Sequence, residues 1–226
     1  MAGTSTLILE TSTPQASLAL AGPPADVIER AFASDRSHQG GLFAPLAELL
    51  EMAGSRPLAR VLVGSGPGSY SGTRVGIAAA QGVALARECP AVAVPSILAL
   101  AAAAGETGCL VIGDARRGSY WLARIAACRM LEETHLTEAI GLAAAVAAAV
   151  ALGLAVVSFE EPARFHLPDE LAAHVTQQFP SATRLWHAWC LADEPTRAAW
   201  AAAEPQPIYL KPPHITPAKR PWLVLS

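Results

Sequence analysis

The sequence predicts an α/β fold built from two related halves. Over the first hundred residues, short apolar runs alternate with helical patterns in the order strand, strand, strand, helix, strand, helix, strand, helix. At Cys109–Asp114 the pattern begins again, with an apolar strand closed by an acid, as Thr6–Glu10 is, and a partner strand at Ser119–Ala126. A chain of 226 residues has room for one large domain or two small ones. The echo places the halves at about residues 1–105 and 106–226.

Each element has a local cause. Thr6–Glu10 is an apolar run ended by the turn residues Thr11-Ser12-Thr13-Pro14. Gln15–Ala21 follows as a second strand, Gly22-Pro23-Pro24 turns the chain, and Asp26–Ala33 returns as a third. Leu42, Phe43, Leu46, Leu49, Leu50 and Ala53 recur at helical spacing and are stopped by Gly54, with Gly40, Gly41 and Pro45 weakening the first turn. Leu58–Val63 is the next strand, Thr73–Arg87 the next helix, and Ala91–Val94 a strand broken by Pro95. Ser96 is placed to cap a helix over Ile97–Ala104. In the second half, Leu142, Val146 and Val150 form one stripe of a helix, Gly153 ends it, and Leu154–Phe159 is a short buried strand. Glu160–Glu204 is predicted as loops over one short helix, and Pro205–Ser226, with six prolines, as an extended tail.

Composition excludes several function classes. Sixteen basic and nineteen acidic residues give a net charge of −3, without the basic footprint of a self-sufficient tRNA binder. Cys89, Cys109, Cys128 and Cys190 form no CxxC pair, so they are expected as buried thiols in a reducing compartment. Met1–Ser5 lacks a basic region ahead of an apolar run, so no signal peptide is expected. Ala139–Phe159 is uncharged and long enough to span a bilayer, but Gly153 splits it and alanine dilutes it. A helix followed by a strand, in a cytoplasmic protein, is the expectation.

The richest local signal is Gly64-Ser65-Gly66-Pro67-Gly68-Ser69-Tyr70-Ser71-Gly72, between a strand and a helix. Such a loop can aim N–H groups at an anion, with Gly66, Gly68 and Ser69 as the candidates. It is not a P-loop, because no Gly-Lys-Ser/Thr follows, and it lacks the third glycine of GxGxxG. A structural turn, with Ser69 and Ser71 as turn and cap residues, is the favoured reading. On the helix that follows, Gly72, Gly76 and Ala80 form one small-residue stripe, and Ala78, Gly82 and Ala86 another. Each interior glycine costs about 1 kcal/mol against alanine. In return another backbone can come close, from the chain's own sheet or from a partner helix.

These residues carry a family resemblance. Gly66 through Ile77 followed by Ala80-Gln81-Gly82-Val83-Ala84 resembles the signature of the TsaB (YeaZ) family, of the glycoprotease-like branch. Matches in the same order are Leu7 through Ser12, Ser37-His38 with Leu46–Leu50, Val94-Pro95-Ser96, Asp114-Ala115-Arg116 with Tyr120, and Pro207 through Lys211. The resemblance implies an actin/Hsp70-like (ASKHA, ribonuclease H-like) fold of two mixed-sheet halves flanked by helices. It also implies a non-catalytic subunit for making threonylcarbamoyladenosine at position 37 of tRNA, beside a TsaD-like transferase and a TsaE-like ATPase. In such a set, tRNA is met through the complex, a second copy replaces TsaD in isolation, and ATP or ADP belongs at the partner interface, with no cofactor of the chain's own. The docking face it implies is Leu42, Phe43, Leu46, Leu50, Gly72, Arg74, Gly76, Ala80 and Val83.

Two departures stand out. Glu10 replaces an aspartate that, in the wider superfamily, helps hold a metal–nucleotide complex. One methylene moves a carboxylate by ~1.5 Å, so nucleotide hydrolysis is not expected. Gly40-Gly41 replaces longer polar residues. Catalytic readings find little else. TsaD-type proteins hold a metal with histidines four residues apart, and no two of the six histidines here have that spacing. The loop lacks a G-x-S-x-G nucleophile elbow. Asp114 with Arg116 suits a turn contact better than an acid–base pair. An ATP-dependent phosphotransferase and a glycoprotease-like (M22-class) peptidase stay open as alternatives.

Overall fold

The computed structural model of the chain describes residues 3–22, 27–33 and 39–211. The first sheet contains β1 (Ser5–Glu10), β2 (Gln15–Ala21), β3 (Val27–Ala33), β4 (Leu58–Gly64) and β5 (Ala91–Val94), in the order β3-β2-β1-β4-β5. β1, β2 and β3 form an antiparallel meander, while β4 and β5 run parallel to β1. Parallel neighbours need long crossovers; α1 (Phe43–Ala53) leads into β4 and α2 (Tyr70–Ala86) into β5. β1 is buried along its whole length, as a central strand covered on both faces must be.

The second sheet repeats this plan. β6 (Cys109–Asp114) pairs antiparallel with β7 (Ser119–Ala126), which carries both β8 (Arg129–Met130) and β9 (His135–Glu138) on its far side. β10 (Ala155–Ser158) and β11 (Val175–Gln177) run parallel to one another, and β10 to β6. The order is therefore third-second-first-fourth-fifth in both sheets, the duplicated actin/Hsp70-like arrangement. α3 (Ala139–Ala151) crosses from β9 to β10, but only the one-turn α4 (Asp169–Ala172) and a 3-10 turn at Pro162–Phe165 lie between β10 and β11.

Three apolar clusters give five layers. Leu46, Leu49, Ile77 and Ala80 of α1 and α2 pack on Leu7, Leu9, Val61 and Val63. Leu142, Val146 and Ala149 of α3 pack on Leu110, Ile112 and Val156. Between the sheets, Ile8 and Leu62 share one core with Val111, Trp121 and Val157, and with Leu185, Ala188 and Trp189 of α5 (Ala182–Leu191). α5 follows the second sheet in sequence yet packs on β1, β2 and β4 of the first, and α6 (Glu194–Ala202) packs on β5. Its docking is polar as well as apolar. The Ala182 N–H donates to Ser17 Oγ at 2.8 Å and the Thr183 N–H to Glu29 Oε1 at 3.1 Å. The orphan amides of the helix start are thus satisfied from the first half.

Several expectations are corrected. α2 starts at Tyr70, not Thr73, because the Ser69 side chain caps it by accepting from the Gly72 N–H. Ile97–Ala104 is not a helix but two 3-10 turns, Ser96–Ala99 and Ala102–Ala104. Ser96 to Leu100 are buried on every side, and the Ser96 hydroxyl accepts from the Gly66 N–H at 3.0 Å instead of capping. Glu160–Glu204 holds a strand and two multi-turn helices, not loops over a single short helix. Ala139–Phe159 divides into α3 and β10 at Gly153; among the described residues no helix is long and apolar enough to cross a membrane. Pro23, Pro24, Asp26, Ser37 and His38 lie outside the described residues.

Candidate functional site

Two places gather the residues singled out by sequence: the outer face of α1 and α2, and the cleft between the halves. On the outer face the two small-residue stripes separate. A Cβ at Gly76 would lie 2.1 Å from Thr11 Oγ1, and one at Gly72 would lie 2.2 Å from the Thr11 carbonyl oxygen. Gly76 and Ala80 are buried. This stripe faces the chain's own β1 end. The other stripe is the open one: Ala78, Gly82 and Ala86 are exposed, and nothing lies within 4 Å of a Cβ at Gly82.

The docking set expected from the resemblance divides in the same way. Leu42 and Leu46 are buried in the α1 core. Leu50, Gly72 and Val83 are half-buried, and Phe43 and Arg74 are exposed. Leu42, Leu46, Gly76 and Ala80 therefore hold the helices to the sheet and are closed to a partner. The accessible part is Phe43 and Leu50 on α1, with Ala78, Gly82, Val83, Leu85 and Ala86 on α2. Leu85 is 83% exposed, which strands a large apolar side chain in water. A groove of about 400 Å3 runs between the helices, lined by Leu50, Gly54, Gly82, Val83, Ala86 and Arg87. Sequence reading gave Ala78, Gly82 and Ala86 as a second stripe open to a partner helix but left them out of the docking set, and it did not single out Leu85.

At the cleft, the glycine loop is zipped to the β1–β2 turn. The Ser69 N–H donates to the Ser12 carbonyl at 2.6 Å, Thr11 Oγ1 donates to the Gly72 carbonyl at 2.8 Å, and a Cβ at Gly68 would sit 2.3 Å from the Ser12 oxygen. Gly68 and Gly72 thus make room for this turn, and the Ser69 amide is spent on it. Of the three anion-loop candidates, Ser69 caps α2 and Gly66 donates to Ser96 Oγ.

Glu10 lies beneath this loop, fully buried. Its Oε1 accepts from the Ser12 N–H at 2.8 Å, while Oε2 has no partner among the described residues. Burial raises its pKa, against the lowering effect of the Ser12 amide bond and of the nearby Ser12 and Ser96 hydroxyls. The longer side chain fits because position 64 is glycine: a Cβ there would meet Glu10 Oε2 at 1.9 Å. Among the described residues no three of His, Cys, Asp and Glu gather as metal ligands.

Asp114 closes the β6–β7 turn. Its Oδ1 accepts from the Arg116 N–H at 2.6 Å, and Oδ2 lies 3.4 Å from Arg116 Nη1 and 3.8 Å from Arg164 Nη2. The turn contact, not an acid–base pair, is its geometry. Glu160 is nearby, its carboxyl pushed up chiefly by burial. Cys109 and Cys128 are buried free thiols, with Cys109 pushed up to about 11 by burial and by its neighbour Cys128.

Comparison with known proteins agrees with this geometry. The family model described as "TsaD: tRNA N6-adenosine threonylcarbamoyltransferase" matches residues 32–185. The tRNA threonylcarbamoyladenosine biosynthesis protein TsaB of Escherichia coli (strain K12) is 34% identical over 93 residues. That match spans 38% of this chain and 40% of the relative's length. Two solved structures from Pseudomonas aeruginosa, one titled YeaZ and one described as similar to the peptidase YEAZ, are each 21% identical. Each aligns with 92% of this chain and 100% of its own, with TM-scores of 0.66 and 0.69 respectively. At that identity they show the fold.

Proposed function

The chain belongs to the TsaB (YeaZ) family of tRNA threonylcarbamoyladenosine biosynthesis, and we propose that it serves there as the non-catalytic subunit that docks on a TsaD-like transferase. The observation that carries this reading is the outer face of α1 and α2. It is an apolar two-helix surface with one notch, Gly82, open to a closely approaching backbone. Water-exposed Phe43 and Leu85 gain by being covered. Glu10 is sealed beneath the glycine loop and Asp114 closes the β6–β7 turn.

In this reading a second copy covers the same face when the transferase is absent. A TsaE-like ATPase completes the assembly, ATP or ADP sits between subunits, and tRNA meets the chain through its partners in the cytoplasm. A net charge of −3 suits such an indirect contact. The test is Gly82→Arg. It should abolish co-purification with the TsaD-like subunit while circular dichroism and melting stay as in the wild type. Undiminished binding would overturn the proposal.

A further inference from the structure

The cleft between the halves is walled in part by a late segment of the chain. A cavity of about 910 Å3 is lined by the loop after β4, by the β6–β7 turn and by residues 207–211. These residues touch both walls. The Ile208 N–H donates to the Ser65 carbonyl of the first half at 2.9 Å. Lys211 Nζ donates to the Arg116 carbonyl of the second half at 2.9 Å. Between them, Tyr209 places its ring 5.9 Å from that of Tyr70, and Leu210 packs against the core shared by the two sheets.

Both acceptors are main-chain carbonyls at rigid points. Ser65 directly follows β4, and its N–H is tied to the Val94 carbonyl at 2.9 Å. Arg116 lies in a turn whose residues Arg116, Arg117 and Gly118 all have positive φ and which Asp114 closes. The two halves already share an apolar core away from the cleft, so what a strap can add is a tie between the loops at the cleft's rim. We propose that Pro207–Lys211 is a strap along the cleft that splints its rim by tying the loop after β4 to the β6–β7 turn. The strap also bears on the docking face. Tyr70 is the first residue of α2, and the Arg74 guanidinium lies 5.0 Å from its ring centroid, so Tyr209 steadies the turn from which the exposed face of α2 begins. This last clause rests on the docking reading above.

Hydrogen exchange on the full-length chain tests the strap. Lys211→Ala removes one anchor, and Ile208→Pro removes the N–H of the other. Each should leave the far-ultraviolet circular dichroism unchanged and speed amide exchange of residues 64–70 and 116–119 by about five-fold or more. Lys211→Arg should keep wild-type exchange. Unchanged exchange in Lys211→Ala overturns the splint, and this variant decides the matter if Ile208→Pro fails to fold. A second arm measures affinity for the TsaD-like subunit, which Tyr209→Ala should lower by about three-fold or more. If the wild-type chain does not bind that subunit, the docking reading falls and the exchange result still stands. If it binds and Tyr209→Ala binds equally well, the link to α2 is wrong.

Discussion

The two halves share a strand order and differ in what covers them. In the first, α1 and α2 lie side by side over the outer face of the sheet, and between their far sides runs a groove of small and apolar residues edged by Glu51 and Arg87. In the second, α3 has no such companion, because the place of α2 is taken by the one-turn α4. α3 does expose Ile140, at 87%, and Leu152, at 66%, but its remaining exposed positions are mostly alanine. The inner faces differ in the opposite sense: α5, from the second half of the chain, covers the first sheet. Duplication supplied two equal frames. Frames of the same strand order thus carry only one two-helix outer face among the described residues.

The largest effect that sharpens this comparison is at Gly76. Gly76→Arg should cost more than about 3 kcal/mol and abolish soluble protein, since Thr11 blocks even a Cβ. A folded Gly76→Arg chain would break the assignment of that stripe to the interior. Next, Leu185→Ala in α5 should cost about 2–5 kcal/mol in chemical denaturation, the penalty of a fully buried leucine. A loss near zero would mean that the first half does not depend on a helix of the second.

Smaller is the contrast between the two outer faces. Leu85→Asp and Ile140→Asp should each change stability by no more than about 0.5 kcal/mol. Only Leu85→Asp should weaken binding to the transferase, by about ten-fold in a titration. Equal effects would erase the distinction between the halves. The mildest is Glu10→Gln, read from stability against pH. Glu10 holds its proton more tightly folded than unfolded, so stability should fall as pH rises from the ordinary carboxylate range up to the raised folded value. The glutamine variant should lose that slope, and an unchanged pH profile would show that Glu10 binds its proton equally folded and unfolded.

Much of this architecture could be read before folding. β2, β5, β6 and β7 fall where apolar runs are bounded by turn residues, because nearly all their side chains are buried or half-buried. α5 was missed since its buried positions, Ala182, Leu185, Ala188 and Trp189, are interleaved with Arg184, His187 and Cys190 in a segment that resembles nothing nearby. Its local signal was present: Ser181 caps α5, and Asp193, followed by Pro195, caps α6. The orientation of the α2 stripes was not legible at all. Two glycine-bearing stripes on one helix are equivalent until Thr11, some sixty residues upstream, chooses between them. Pro207 through Lys211 stood out as a family match within a proline-rich tail, but not as a strap, for its acceptors at Ser65 and Arg116 are main-chain groups that leave no mark in sequence.

The capping of α5 by Ser17 and Glu29 sets a timetable for biosynthesis. A nascent chain that has completed its first sheet and both outer helices still lacks the lid for that sheet's inner side, and must wait until Leu191 has left the ribosome. Through that interval Ile8, Leu62 and their neighbours are open to solvent or to a chaperone. Severing the polypeptide near residue 105 would make that interval permanent, so the halves are obliged to mature as one body.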